Sequence, residues 1–357
     1  MSHVFKEAID SPAAWKGSEL SDDRAFVTPL TQADLSDIDR ALAYARECKV
    51  DWQKMSREDF PIDAFAQKLG AMERELRHGK GFVLLRGLPV QRYPAGDLLR
   101  LWMGIGVWLG QPVSQNAQGE LISPVTDGGK MGEDASGRLV STGSSLQPGG
   151  GNPDLRLYKT RAELRPHNDS ADLVGLLCVH PAKTGGVSTI ISAISIYNEI
   201  LATAPEHLVH LFNGYHYDVR GEGTTGRSDE VTAHRIPVFS YFEGLLSCRF
   251  NPKTIESAQR KMKQALPAQA LQAVAYMEDL AKNPKLRIDM ELQAGDMQFL
   301  NNLFMLHYRT EFEDWPQPER KRLLLRLWLN LRNGPALAPE FSNRYNAGAR
   351  SGVPVRA

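Results

Sequence analysis

Cysteine is scarce in this chain of 357 residues: only Cys48, Cys178 and Cys248 occur, far apart. That spacing excludes a thiolate zinc cluster and a secreted disulfide framework, and the thiols read as reduced. Net charge is also absent, because 42 basic and 42 acidic side chains cancel. A protein that tracks nucleic acid or lies on anionic lipid needs a basic footprint, so neither partner is expected and a small molecule is. No uncharged run approaches the roughly 18 to 20 residues that span a bilayer. The opening Met-Ser-His-Val-Phe-Lys-Glu has no apolar signal-peptide core. The expectation is a cytoplasmic protein with no membrane partner. Association into a homo-oligomer is compatible with the sequence but not readable from it.

The residues present divide the chain unevenly. Residues 1–80 carry helical spacing, with Leu35, Ile38 and Leu42 following the cap candidate Thr31, and Phe65, Leu69, Met72 and Leu76 following Pro61. They are expected to form a helical extension packed on a core domain at 81–335, with 336–357 as a C-terminal tail. Residues 81–87 read as a buried strand and 97–109 as a helix. The glycine-rich stretch 126–154 reads as an irregular, lid-like loop. It lacks the Gly-Lys-Ser/Thr ending of a phosphate cradle. Strands are expected at 155–160, 173–180, 187–191, 238–241, 245–250, 297–300, 304–308 and 322–331, with helices at 196–211 and 253–281. This order lacks the strand-helix alternation of a doubly wound sheet and fits an antiparallel sandwich or barrel with helices outside.

The chemistry concentrates in His167-Asn168-Asp169, His307, Arg322 and Arg326. In extended backbone, alternate side chains share a face, so His167 and Asp169 point together and Asn168 points away. With His307 they would form the two-imidazole, one-carboxylate set that leaves three positions open on ferrous iron. Further on, period two puts Leu323, Leu325, Leu327, Leu329 and Leu331 on one face and Arg322, Leu324, Arg326, Trp328 and Asn330 on the other. If helices cover the leucines, both guanidiniums line an interior and need an anion to offset their desolvation. A dicarboxylate suits them, since the planar arginine fork matches a carboxylate with two hydrogen bonds.

The stretch RPHNDSADLVGLLCVHPAKTGGVST, with GDMQFLNNLFMLH and ERKRLLLRLWL, resembles the taurine dioxygenase-like, or clavaminate synthase-like, family of Fe(II)/2-oxoglutarate oxygenases. The resemblance runs from about Gly81 to Leu331. It implies a mainly β fold, a double-stranded β-helix or jelly roll wrapped by helices. It implies Fe(II), 2-oxoglutarate as co-substrate and O2, with His167, Asp169 and His307 as catalytic iron ligands. Ser188 or its neighbour Thr189 matches the position that gives 2-oxoglutarate a hydroxyl hydrogen bond. Arg322 and Arg326 match the arginine pair of the last barrel strand, and their division of labour stays open. Tyr158, Thr160, Asn168 and Asn302 are further candidates for the substrate pocket or for supporting the metal. Gly185-Gly186 would form the turn that delivers Ser188 or Thr189.

The implied reaction is hydroxylation, or else desaturation or cyclisation, of a small organic substrate, with release of succinate and CO2. Asp169 occupies the carboxylate position, which leaves no coordination site for chloride and argues against halogenation. A carboxylate or other anionic group on the substrate would suit the arginines. Where the taurine enzyme has Trp-His-Thr-Asp this chain has Pro-His-Asn-Asp, which argues against taurine itself. Two rival readings keep the same residues. One is a zinc hydrolase using the His/Asp/His set to activate water, and the other a non-catalytic jelly-roll binding module.

Overall fold

In the computed structural model, which describes residues 4–20, 22, 26–146 and 156–356, the core is two stacked sheets. The larger runs in the order Val27–Pro29, Phe82–Arg86, Met297–Asn301, Leu173–His180, Leu323–Asn330 and Gln111–Pro112, with Ile122–Val125 also pairing to Leu323–Asn330. The smaller has four strands, Arg287–Met290, Ser188–Ser192, Met305–Arg309 and Leu164–His167. All these pairings are antiparallel except that of Val27–Pro29 with Phe82–Arg86. Ser188 on the small sheet donates to the Gln298 side chain on the large one at 3.2 Å, so these two faces meet in the interior.

The leucine alternation decides how the large sheet is covered. Leu323, Leu325, Leu327, Leu329 and Leu331 pack with Ile38, Phe65, Leu69 and Trp102 of the helices Gln32–Glu47, Ala64–His78 and Ala95–Leu109. Gly106 permits the close approach: a Cβ there would lie 2.3 Å from a Leu327 methyl. Gln32–Glu47 starts at Thr31, whose hydroxyl caps the Asp34 N–H, a contact worth about 1 kcal/mol. Leu324 and Trp328, on the opposite face, belong to the interior cluster, which extends to Ile196, Leu211 and Met277 of the helices over the small sheet. Burial of this kind, at about 25 cal/mol per Å² of apolar surface, is what holds the sheets together.

Several expectations are corrected. Residues 157–159 form a single 3-10 turn rather than a strand, and Leu155 lies outside the described residues. The helix expected at 196–211 is two helices, Ala193–Thr203 and Leu208–Asn213, separated by a turn beginning at Pro205. The one expected at 253–281 breaks after Met262, where Lys263 takes a left-handed φ of 52° and Pro267 starts the next helix. Proline lacks the N–H that would continue each helix, so the signal was present in the residues. Within 126–154, Met131–Glu133 pairs with Leu139–Ser141 in a short hairpin, while 147–155 lie outside the described residues. The expected helical extension also supplies the strand Val27–Pro29 to the main sheet. Among the described residues, no helix is long and apolar enough to cross a membrane.

Candidate active site

His167 ends the strand Leu164–His167, and its partner across the small sheet is His307. Asp169 follows two residues on. One ligand atom from each of His167, Asp169 and His307 can be chosen so that all lie within 4.8 Å of one another. The imidazole centroids are 4.5 Å apart, and His307 Nε2 stands 3.9 Å from Asp169 Oδ2. His167 Nδ1 lies 2.8 Å from the Arg165 carbonyl oxygen, which as acceptor fixes the tautomer and leaves Nε2 unprotonated and able to ligate an ion. Asp169 Oδ2 accepts the Trp328 indole N–H at 2.9 Å, and Arg326 Nη1 is 3.5 Å from Oδ1.

The electrostatics suit a divalent cation. Burial, followed by the neighbouring His167, pushes His307 down to about 3, and burial also lowers His167. Burial alone would raise the Asp169 carboxyl, but Arg326 and the two imidazoles hold it at about 2. Two neutral imidazoles and one carboxylate are the deprotonated donors that a ferrous ion requires. These donors have room for it, because the set opens into a cavity also lined by Arg322, Arg326 and Ser188.

The small sheet and the strand Leu323–Asn330 aim the remaining candidates. Gly185 and Gly186 have φ of 71° and 68°, and a Cβ on Gly185 would lie 2.4 Å from the Glu311 carbonyl oxygen, so this turn is built for glycine. It sends Ser188 to the interior, whereas Thr189 turns outward and donates to Asp289 at 2.6 Å. Arg326 sits by the metal ligands, its Nε donating to the Gln115 side chain at 2.7 Å. Arg322, four residues earlier on the same face, lies beyond Leu324 and lines the cavity farther from the ligands.

The other candidates divide. Tyr158 lines the cavity, with the Arg326 guanidinium 4.6 Å from its ring centroid. Thr160 does not line it: its hydroxyl bonds the Leu157 carbonyl and its own carbonyl takes Arg309. The Asn168 amide ties the ligand loop to the backbone of Cys248, Phe250 and Asn302. Asn302 Oδ1 lies 3.4 Å from the Asp169 N–H, a supporting contact beneath the site. Sequence reasoning missed Arg249, which donates to Ser170 Oγ at 2.7 Å, and Arg344, which lies 3.3 Å from the Ala171 carbonyl. Together they brace the loop after Asp169. Arg344 and the cavity-lining Tyr345 come from the expected C-terminal tail, which is therefore part of the site. No local pattern marks such braces, since their partners are backbone atoms far away in sequence.

The profile of the family "Taurine catabolism dioxygenase TauD, TfdA family" matches residues 46–328. The chain belongs to this family. Membership makes the protein an Fe(II)- and 2-oxoglutarate-dependent dioxygenase with a double-stranded β-helix fold, and it removes the zinc-hydrolase and binding-module readings. Among curated proteins, FR-33289 synthase of Streptomyces rubellomurinus is 29% identical over 337 residues, 94% of each chain. Taurine hydroxylase-like protein SAT17 of Stachybotrys chartarum is 25% identical over 324 residues, 89% of this chain and 79% of its own. Among solved structures, asparagine oxygenase in complex with Fe(II), 2S,3S-3-hydroxyasparagine and succinate superposes with a TM-score of 0.63 at 16% identity, covering 85% of this chain and 93% of that one. The non-heme iron oxygenase OrfP with Fe, succinate and (3R,4R)-dihydroxy-L-Arg gives 0.58 at 13% identity, covering 91% and 99%. These last two likenesses speak for the fold.

Proposed function

We propose that this dioxygenase hydroxylates a small anionic organic molecule, with His167, Asp169 and His307 holding the iron and Arg322 and Ser188 binding the distal carboxylate of 2-oxoglutarate. The observation that carries the reading is the shared cavity, which has the His–Asp–His cluster beside Arg326 and Trp328 and the cations and hydroxyl for a second carboxylate beyond it. Bound Fe(II) supplies the redox chemistry, coupling O2 to decarboxylation of 2-oxoglutarate and oxidation of the substrate, one oxygen atom entering each product. The protein supplies position and protection from water. Trp328 and Arg326 keep Asp169 ionised and oriented, Arg165 O orients His167, and Arg249 and Arg344 hold the intervening loop.

The anionic character of the substrate rests on the cavity wall near His167. Arg156, Arg220 and Lys253 all line it. Arg156 is ion-paired to Glu222, while Asp218 is engaged by Ser257 and Lys261. The Arg220 guanidinium makes no hydrogen bond or ion pair among the described residues, and burial, then the nearby Arg156, depresses it to about 10. Its backbone has a φ of 52°, pinned by its N–H donating to Asp218 Oδ1 at 2.7 Å. Left-handed backbone at a non-glycine residue is strained and persists where the surroundings hold it. Arg220 is thus the cation with capacity to spare for a substrate oxyanion.

The test is succinate release with Fe(II), 2-oxoglutarate and O2, screened across amino acids, sulfonates, betaines and aryloxy acids, each paired with a neutral ester or amide analogue. An anionic compound should stimulate turnover where its neutral analogue does not. Arg220→Met should raise the KM for that compound about 10- to 100-fold. Equal stimulation by neutral analogues, or an unchanged KM, would remove the anion from the reading.

A further inference from the structure

We propose that Arg309 is a second anchor for the distal carboxylate of 2-oxoglutarate, working opposite Arg322 so that two guanidiniums share one carboxylate. The inference rests on the reading that 2-oxoglutarate occupies this cavity, and it assigns a residue outside the motifs described above. Arg309 follows His307 by two residues on Met305–Arg309, so strand alternation turns both side chains to the interior. Its register partner on the next strand is Ser188, whose hydroxyl reaches across to Gln298 of the opposite sheet. Arg309, Ser188 and Arg322 therefore converge from three strands on one region, and all three line the cavity.

Both arginines are almost inaccessible, each 4% exposed. Their guanidinium carbons lie 4.7 Å (Arg309) and 5.2 Å (Arg322) from the centroid of the same ring, Phe312. Burial, then the Arg322 charge, lowers Arg309 to about 8, so the two cations feel each other with little water to screen them. Among the described residues, neither guanidinium has an acidic partner. Asp127 is ion-paired to Arg161, and Asp314 accepts the backbone N–H of Arg322 instead of its side chain. Nη1 of each arginine is buried without a hydrogen bond. The rest of Arg309 is tightly held: Nη2 donates to the carbonyls of Thr160 and Ala162, and Nε to that of Thr310 at 3.2 Å. Arg309 is thus a fixed, preorganised cation with capacity left over.

A carboxylate resolves this arrangement. Its two oxygens offer about four lone-pair sites, enough for one N–H from each guanidinium and for the Ser188 hydroxyl once it turns from Gln298 to the anion. The anion also cancels the mutual repulsion. A keto acid lacking the distal carboxylate would leave two buried cations uncompensated, so the pair acts as a selectivity device for a dicarboxylate.

The experiment is anaerobic isothermal titration of the Fe(II)-loaded full chain with 2-oxoglutarate and with 2-oxobutyrate, which keeps the chelating keto acid and lacks the second carboxylate. Arg309→Met, Arg309→Lys and Arg322→Met are compared with the parent. Arg309→Met should weaken 2-oxoglutarate about tenfold or more and leave 2-oxobutyrate unchanged or tighter, while Arg309→Lys recovers part of the loss. Preference for 2-oxoglutarate kept within about twofold in Arg309→Met, or equal weakening of both ligands, would overturn the proposal and make Arg309 a brace for the backbone at Thr160 and Ala162. A parent protein that binds 2-oxoglutarate no better than 2-oxobutyrate would instead overturn the co-substrate reading beneath it.

Discussion

Replacing Trp328 by phenylalanine isolates one hydrogen bond that the site depends on. The indole N–H donates to Asp169 Oδ2 at 2.9 Å, and Trp328 is buried, so no bulk water stands ready to replace it. A hydrogen bond to a charged group is worth about 1.5–3 kcal/mol, and its loss leaves the carboxylate less well oriented and less comfortable as an anion. At 1.4 kcal/mol per decade this converts to roughly 10- to 100-fold weaker metal binding, within the range for outer partners of metal ligands. Arg326, still 3.5 Å from Oδ1, keeps the loss toward the lower end. The assay is anaerobic Fe(II) titration. Trp102→Phe is its control, because Trp102 is fully buried on the other side of the sheet and its Nε1 has no hydrogen-bond partner. Trp102→Phe should cost packing stability in a denaturant melt while leaving iron affinity unchanged. Equal loss of iron affinity in both variants, or none in Trp328→Phe, would refute the argument that this hydrogen bond holds the ligand.

Asp169→Ala should abolish both iron binding and succinate release, and normal iron content with retained turnover would remove Asp169 from the ligand set. Arg326→Met should affect Fe(II) affinity more than Arg322→Met does, because Arg326 sits against Asp169, whereas Arg322→Met should affect 2-oxoglutarate affinity more. Titrations that show the reverse order would exchange the two roles. Metal-free protein should lose stability on acidification. His307 is held neutral in the fold down to about 3, whereas an unfolded histidine takes up its proton near 6.5. Stability is therefore full above pH 6.5 and erodes as pH falls toward 3, at up to about 1.4 kcal/mol per pH unit from this residue. His307→Gln should flatten that slope in chemical-denaturation curves, and an identical slope would contradict the burial argument.

The helices over the large sheet, the strand Leu323–Asn330 and the pairing of His167 with Asp169 were all legible in the residues, because each is a matter of local period. Five alternate leucines can be satisfied only by a sheet with one dry face, and a His-x-Asp in extended backbone puts both groups on one side whatever surrounds it. Pro205 and Pro267 were also legible as helix breaks, though the apolar spacing around them masked the interruption. Residues 157–159 looked like a strand because Leu157, Tyr158 and Thr160 carry β propensity, but propensity yields to tertiary context, and the segment turns to place Tyr158 over Arg326. What no local pattern carried was the company each charge keeps. The order of the two arginines along the cavity, the opposite facing of Ser188 and Thr189, the presence of Arg309 and Arg322 on one cavity, and the arrival of Arg220, Arg249 and Arg344 all follow from register between strands and from loops that meet only after folding. Side-chain periodicity is written along the chain, so the sequence determined which faces exist. Distance between charges is set across the chain, so only the tertiary structure decided which of them face one cavity.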